Sequence, residues 1–261
     1  MKPSRTTTFL ALFFALTSLC TGADQLGSIK VMSVTGSVSK EGESGEFSPI
    51  KAGDIFGAGN NIKTSGLSAV SLAFSNGSEI RLRQKTTLEI KEFVQDSFES
   101  DLSYEKLESD PSESRAVLNL DYGKIDGHVK NLRPGSQFLI ETPFGTVAIL
   151  GTNFSVEVGF NTVTGAVGLS VANSDGTVEF TPSSGDGAGT AIPVPQGQTQ
   201  EASVSPGDAG YAAVANQVAE SAPADAVATI GGNTATATPV TTSEDSESES
   251  GEVVVISPST N

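Results

Sequence analysis

The chain has 261 residues, with 28 Gly, no Trp and 37% hydrophobic residues, which allows one substantial domain plus segments outside its core. Its formal net charge is −16, and every basic residue lies at or before Arg133. Such a surface repels phosphate backbones and anionic lipid, so nucleic acid is excluded as an expected partner.

Lys2 and Arg5 precede an apolar run at 9–16 that ends in small and polar residues. This reads as a secretory signal peptide over 1–23, cleaved after Ala23. Cys20 supports a rival reading as an acylated lipoprotein cysteine, which the bulky Leu19 before it disfavours. Removing 1–23 takes two positive charges and no acid from the total, leaving −18, no cysteine and no expected transmembrane helix. The protein is expected to be exported, to a periplasm or beyond the cell, and to be stabilised by sheet burial without disulfides.

Residues 24–205 read as one all-β domain of short, mostly antiparallel strands in a twisted sandwich or β-roll. Ile29 to Val31 and Ser33 to Val38 read as a strand pair around Gly36, and 60–64 as a further strand. In 68–83, Val70, Leu72, Phe74, Ile80 and Leu82 alternate with small or polar residues. Asn76-Gly77 between the two runs suits the positive φ of a type I′ hairpin. A strand follows over 87–94.

The acidic stretch 95–114 reads as a solvated insertion loop; a metal or basic-partner site is the alternative, but its acids have no ligand spacing. Strands resume over 117–120 and 123–130. There Ile125, Gly127 and Val129 share one face, and Lys124, Asp126, His128 and Lys130 share the other. His128 is the only histidine and reads as ordinary surface. Asp121 and Asp126 are the sole candidates for paired-carboxylate hydrolysis, through nearness in sequence alone. No nucleophile, cofactor loop or metal set stands out, so the chain reads as a non-enzyme without cofactor.

Two Gly-Thr pairs punctuate ETPFGTVAILGTNFSVEV at 141–158, and read as the corners of two core strands. A second hairpin is expected around Asp175-Gly176, joining 167–171 to 177–180. The two prolines of 191–200 suit an edge strand or a last turn. Residues 206–261 read as a low-complexity Ala, Thr, Ser and acid tail, disordered from 221, with one short helix on the spacing of Tyr211, Val214 and Val218. Val253, Val254, Val255 and Ile256 form an apolar patch suited to a sheet edge.

The 141–158 stretch resembles the signature of FecR-like domains: Thr142, Pro143, Gly145, Thr146, Gly151, Thr152, Phe154 and Val156 occupy its places. Gly53 and Asp54 resemble the family's Gly-Asp block, and Asn76-Gly77 its Asn-Gly-Ser hairpin. Leu150 and Asn153 stand where the family often has a base and an acid. The resemblance implies an exported, non-enzymatic module that binds an envelope protein or polysaccharide such as peptidoglycan, or acts as scaffold. The alternative is a component of a trans-envelope signalling system acting through a membrane-bound protein. The family's namesakes carry a cytoplasmic sigma-binding segment and a membrane span that this sequence does not show.

Overall fold

A computed structural model describes residues 25–42, 45–223, 228–230 and 233–235. The signal-peptide reading, Cys20 and the Val253 to Ile256 patch lie outside these residues. Seventeen strands form the body: β1 Gln25–Leu26, β2 Ile29–Thr35, β3 Val38–Glu41, β4 Phe47–Pro49, β5 Ile55–Phe56, β6 Asn60–Thr64, β7 Ala69–Phe74, β8 Glu79–Leu82 and β9 Thr87–Gln95 come first. After them run β10 Ser114–His128, β11 Gln137–Thr142, β12 Gly145–Leu150, β13 Asn153–Phe160, β14 Val167–Asn173, β15 Thr177–Pro182, β16 Ile192–Val194 and β17 Thr199–Val204. Helix α1, Tyr211–Ser221, follows, and the short pair β18 Ala228–Ile230 and β19 Asn233–Ala235 forms its own ladder.

The strand pairings trace two sheets joined through β10, wrapped as a barrel-like roll. One sheet runs β4-β3-β6-β9-β10-β11-β12-β15-β16, with β1 beside the end of β9. The other runs β5-β2-β7-β8-β10-β13-β14-β17. All these pairings are antiparallel except β10 with β11. The fold is thus all-β and mostly antiparallel, as the alternation and turn residues predict.

β10 explains how two sheets share one core. The sequence suggests two strands, 117–120 and 123–130, but they are halves of one 15-residue strand. Up to Tyr122 it pairs with β9 and β11; from Gly123 it pairs with β8 and β13. Gly123 has φ +103, and a Cβ there would lie 2.5 Å from Thr86 Cα. Only glycine lets the strand pass so close to its neighbour while bending.

The expected pairing of Ile29–Val31 with Ser33–Val38 does not occur. Residues 29–35 are one strand bulged between Val31 and Ser33, paired with β5 and β7. Gly36, at φ +71, then sends the chain into β3 in the other sheet. Local alternation is the same for a hairpin and for a strand that changes sheets, so it does not separate them.

The core is continuous across both sheets, from Val31 and Leu72 to Ile62 and Ile90. Phe74 packs edge-on against Phe93 and Phe138, with centroids 5.1 and 5.6 Å apart, geometry that favours ring edge against ring face. The expected helix is present as α1. Val218 is fully buried, Tyr211 and Val214 pack on the core, and the Tyr211 hydroxyl donates to Gly165 O at 2.9 Å. No described helix is long and apolar enough to cross a membrane.

Candidate functional site

The signature residues converge on corners. Thr142 and Gly145 close the β11–β12 hairpin, with Pro143 and Phe144 at its tip. The Thr142 hydroxyl accepts the Phe144 N–H at 3.2 Å and donates to Gly145 O at 2.8 Å. A Cβ on Gly145 would meet the backbone of Thr181 and Pro182 on β15, so the close approach of strands demands glycine. Thr146 continues that strand opposite Glu141 and Thr181. Gly53, at φ +94, and Asp54 shape a turn in which an Asp54 carboxylate oxygen accepts the Lys51 N–H at 2.9 Å.

Gly151 and Thr152 carry the chain from β12 into the other sheet, and Gly151 adopts φ +69. Thr152 is 1% exposed, and its hydroxyl donates to Asn173 Oδ1 at 2.9 Å. Asn173 Nδ2 donates in turn to Val194 O at 2.8 Å and Gly176 O at 3.2 Å. Asn153 donates to both Asp175 oxygens, from its backbone N–H at 2.7 Å and its side-chain amide at 2.9 Å. The Asn153 N–H, its amide and the Thr152 hydroxyl together hold the Asp175 carboxyl below its ordinary range. Phe154 then enters the core 6.4 Å from Phe138, its ring against Gly127, where a Cβ would lie 2.5 Å away.

Two expectations change at these corners. The Asp175-Gly176 turn does not make a hairpin: β14 pairs with β13 and β17, while β15 pairs with β12 and β16 in the other sheet. The turn at Asn76-Gly77 is a hairpin, but only Gly77 has positive φ, so it is not type I′. Gly77 N–H donates to Phe74 O at 2.9 Å and Phe74 N–H to Ser78 O at 2.8 Å, a three-residue loop ending in a left-handed glycine.

Asn76 has a role that turn chemistry did not reveal. It is fully buried, accepting the Ser78 N–H at 3.0 Å and donating to Ser114 Oγ at 3.2 Å. Ser114 donates to Asp110 at 2.8 Å, and Gln95 reaches the same carboxylate at 3.4 Å. The 95–114 stretch is therefore only partly solvated: Leu107, Asp110, Ser112 and Ser114 are buried and tie it to the body. Its acids are not interchangeable, since Asp110 serves a buried network. Among the described residues, no group of three or more His, Cys, Asp or Glu is placed to hold a metal ion.

Asp121 and Asp126 are engaged separately. Asp121 accepts from Gln217 at 2.8 Å and Ser221 at 3.2 Å, anchoring α1, whereas Asp126 pairs with Arg83. His128 is half-buried at the end of β10, opposite Glu79 and Asn153.

An open groove of about 740 Å³ lies where β10 passes between the sheets, walled by Leu67, Lys85, Tyr122, Lys124, Asp126 and Phe160 among others. Lys124 pairs with Glu157 across it at 2.9 Å. Leu67 and Lys85 are the two non-glycine residues with positive φ among the described residues, at 56° and 54°. Strained backbone of this kind persists where its surroundings enforce it and gathers at binding sites. Leu67 is 88% exposed, a large apolar side chain left in water at the groove's rim. Nothing in the one-dimensional pattern singled these residues out; the signal is their backbone conformation.

Residues 60–179 match the FecR protein family. Two crystal structures, each described as of a candidate anti-sigma factor from Parabacteroides distasonis ATCC 8503, are similar at 14% identity and a TM-score of 0.37. The similarity covers 56% of this chain and 59% of theirs, so less than two thirds of those proteins is spanned. No curated protein matches. Gly53 and Asp54 lie upstream of the matched stretch, whereas the hairpin and both Gly-Thr corners lie within it. The FecR likeness is thus confined to residues 60–179, less than half of the chain.

Proposed function

We propose that this protein is a non-enzymatic, exported FecR-like module that binds a partner, or serves as scaffold, in the bacterial cell envelope. The observation that carries the reading is the FecR match over 60–179, in which the signature side chains are spent on corners. Binding then falls to surfaces such as the groove at the β10 crossing. The basic and apolar leader at 1–23 supports export. An envelope polymer such as peptidoglycan is the partner class that tests this most simply. Residues 24–261 are incubated with isolated cell-wall sacculi at low and moderate salt. Salt-resistant pelleting is expected; protein that stays in the supernatant overturns the polymer reading.

A second reading, trans-envelope signalling through a membrane-bound protein, draws support from one feature. The outer edge of β17 carries no strand pairing among the described residues, which suits strand addition by a partner. Cross-linking in intact cells is expected to capture a membrane protein at 199–204 under this reading, and capture of none counts against it.

A further inference from the structure

We propose that the groove at the β10 crossing is a docking site for the chain's own acidic C-terminal segment, residues 243–256. The groove gathers Arg83, Lys85 and Lys124 against Asp126 and Glu157, a locally positive site on a chain of net charge −16. Arg83 and Lys124 have carboxylate partners, while Lys85 makes no ion pair among the described residues. The segment supplies Glu244, Asp245, Glu247, Glu249 and Glu252, then Val253, Val254, Val255 and Ile256, and no base follows Arg133 to neutralise it. Its acids complement Lys85 and its neighbours, and its apolar run complements the exposed Leu67 and the adjoining Phe160.

The path of the chain favours this occupant over a free acidic partner. α1 ends at Ser221, whose hydroxyl bonds Asp121, the residue before Tyr122 on the groove wall. From there to residue 243 the chain folds back once, at the β18–β19 ladder, and the stretches 221–228 and 235–243 on either side of it can together reach ~50 Å at ~3.3–3.6 Å per residue. Tethering places the segment at an effective concentration on the order of millimolar. A separate acidic ligand must instead approach against the field of the whole molecule.

The test uses residues 24–261 treated with a water-soluble carbodiimide, which joins a lysine amine to a nearby carboxylate with loss of water. The cut is made with a protease that does not require basic residues, because none follows Arg133. An intramolecular amide is expected between Lys85 or Lys124 and an acid of 244–252. Its yield stays unchanged on tenfold dilution and falls severalfold near 0.5 M salt, where charges are screened within about 4 Å. Lys85→Glu lowers the Lys124 link as well, and adding Glu247→Lys with Glu249→Lys restores joining of groove and segment. No link, a link indifferent to Lys85→Glu, or a yield that falls with dilution, as docking onto a second copy would give, overturns the proposal.

Discussion

The turns at Asn76-Gly77 and Asp175-Gly176 carry the same local signal, and the chain uses it in two ways. At the first, β7 folds back on β8 and the two strands pair from Val70 with Leu82 to Ala73 with Glu79. At the second, β14 and β15 part into different sheets. What differs is the partner of the turn. The 76–77 turn lies over the insertion loop, with Leu107 beside Gly77. The 175–176 turn lies on the backbone of another corner, so close that a Cβ on Gly176 would collide with Gly151 O. Two sheet-crossing corners packed together hold the sheets in register, whereas a hairpin loop closes only its own strands.

The largest expected contrast is between alanine substitutions at the two glycines. Gly176→Ala combines a φ of +74 with that collision and is expected to cost about 3 kcal/mol or more. Gly77→Ala, at φ +85 with its nearest neighbour a side-chain carbon 3.0 Å away, is expected to cost about 1–2 kcal/mol. Urea denaturation of both measures the difference, and equal losses would remove the distinction between corner and hairpin.

Next in size is Thr152→Val, which keeps the shape and removes the hydroxyl from buried Asn173. A loss of about 1–3 kcal/mol is expected, largely recovered in Thr152→Ser. Gly151→Val is expected to cost a similar ~1–3 kcal/mol through its positive φ, and an unchanged melting temperature would refute the corner geometry.

The smallest effect is on pH dependence. Asp175 is held below the ordinary aspartate value of about 3.9. The stability it contributes is therefore present in full above that value, and it is lost as the pH falls through the lower folded-state value. Melting temperatures taken from pH 6 to pH 2 are expected to fall less steeply in Asp175→Asn than in the parent. Parallel curves would mean that the carboxylate contributes nothing.

Much of this architecture is legible in the residues because it is local. Alternation at 70–82 exposes β7 and β8, paired Gly-Thr units mark both ends of β12, and the spacing of Tyr211, Val214 and Val218 marks α1. The rest depends on which strand lies alongside. Alternation says that residues 29–38 are extended without saying that β2 and β3 enter different sheets. Gly123 reads as a break between strands, when it is the bend of one. Asp110 and Asn76 look like solvated loop and turn residues because their partners, Ser114 and Gln95, lie up to 38 positions away. The groove is least legible, since Leu67 and Lys85 differ from other surface residues only in φ.

The central claim is that the corner at Gly151, Thr152 and Asn153 and the 173–177 turn form one cooperative joint between the sheets. A double-mutant cycle on Thr152→Val and Asp175→Asn, measured by urea denaturation at neutral pH, tests it directly. The account predicts that the double mutant loses less stability than the sum of the two single losses, because both groups serve one network. Strictly additive losses would contradict it.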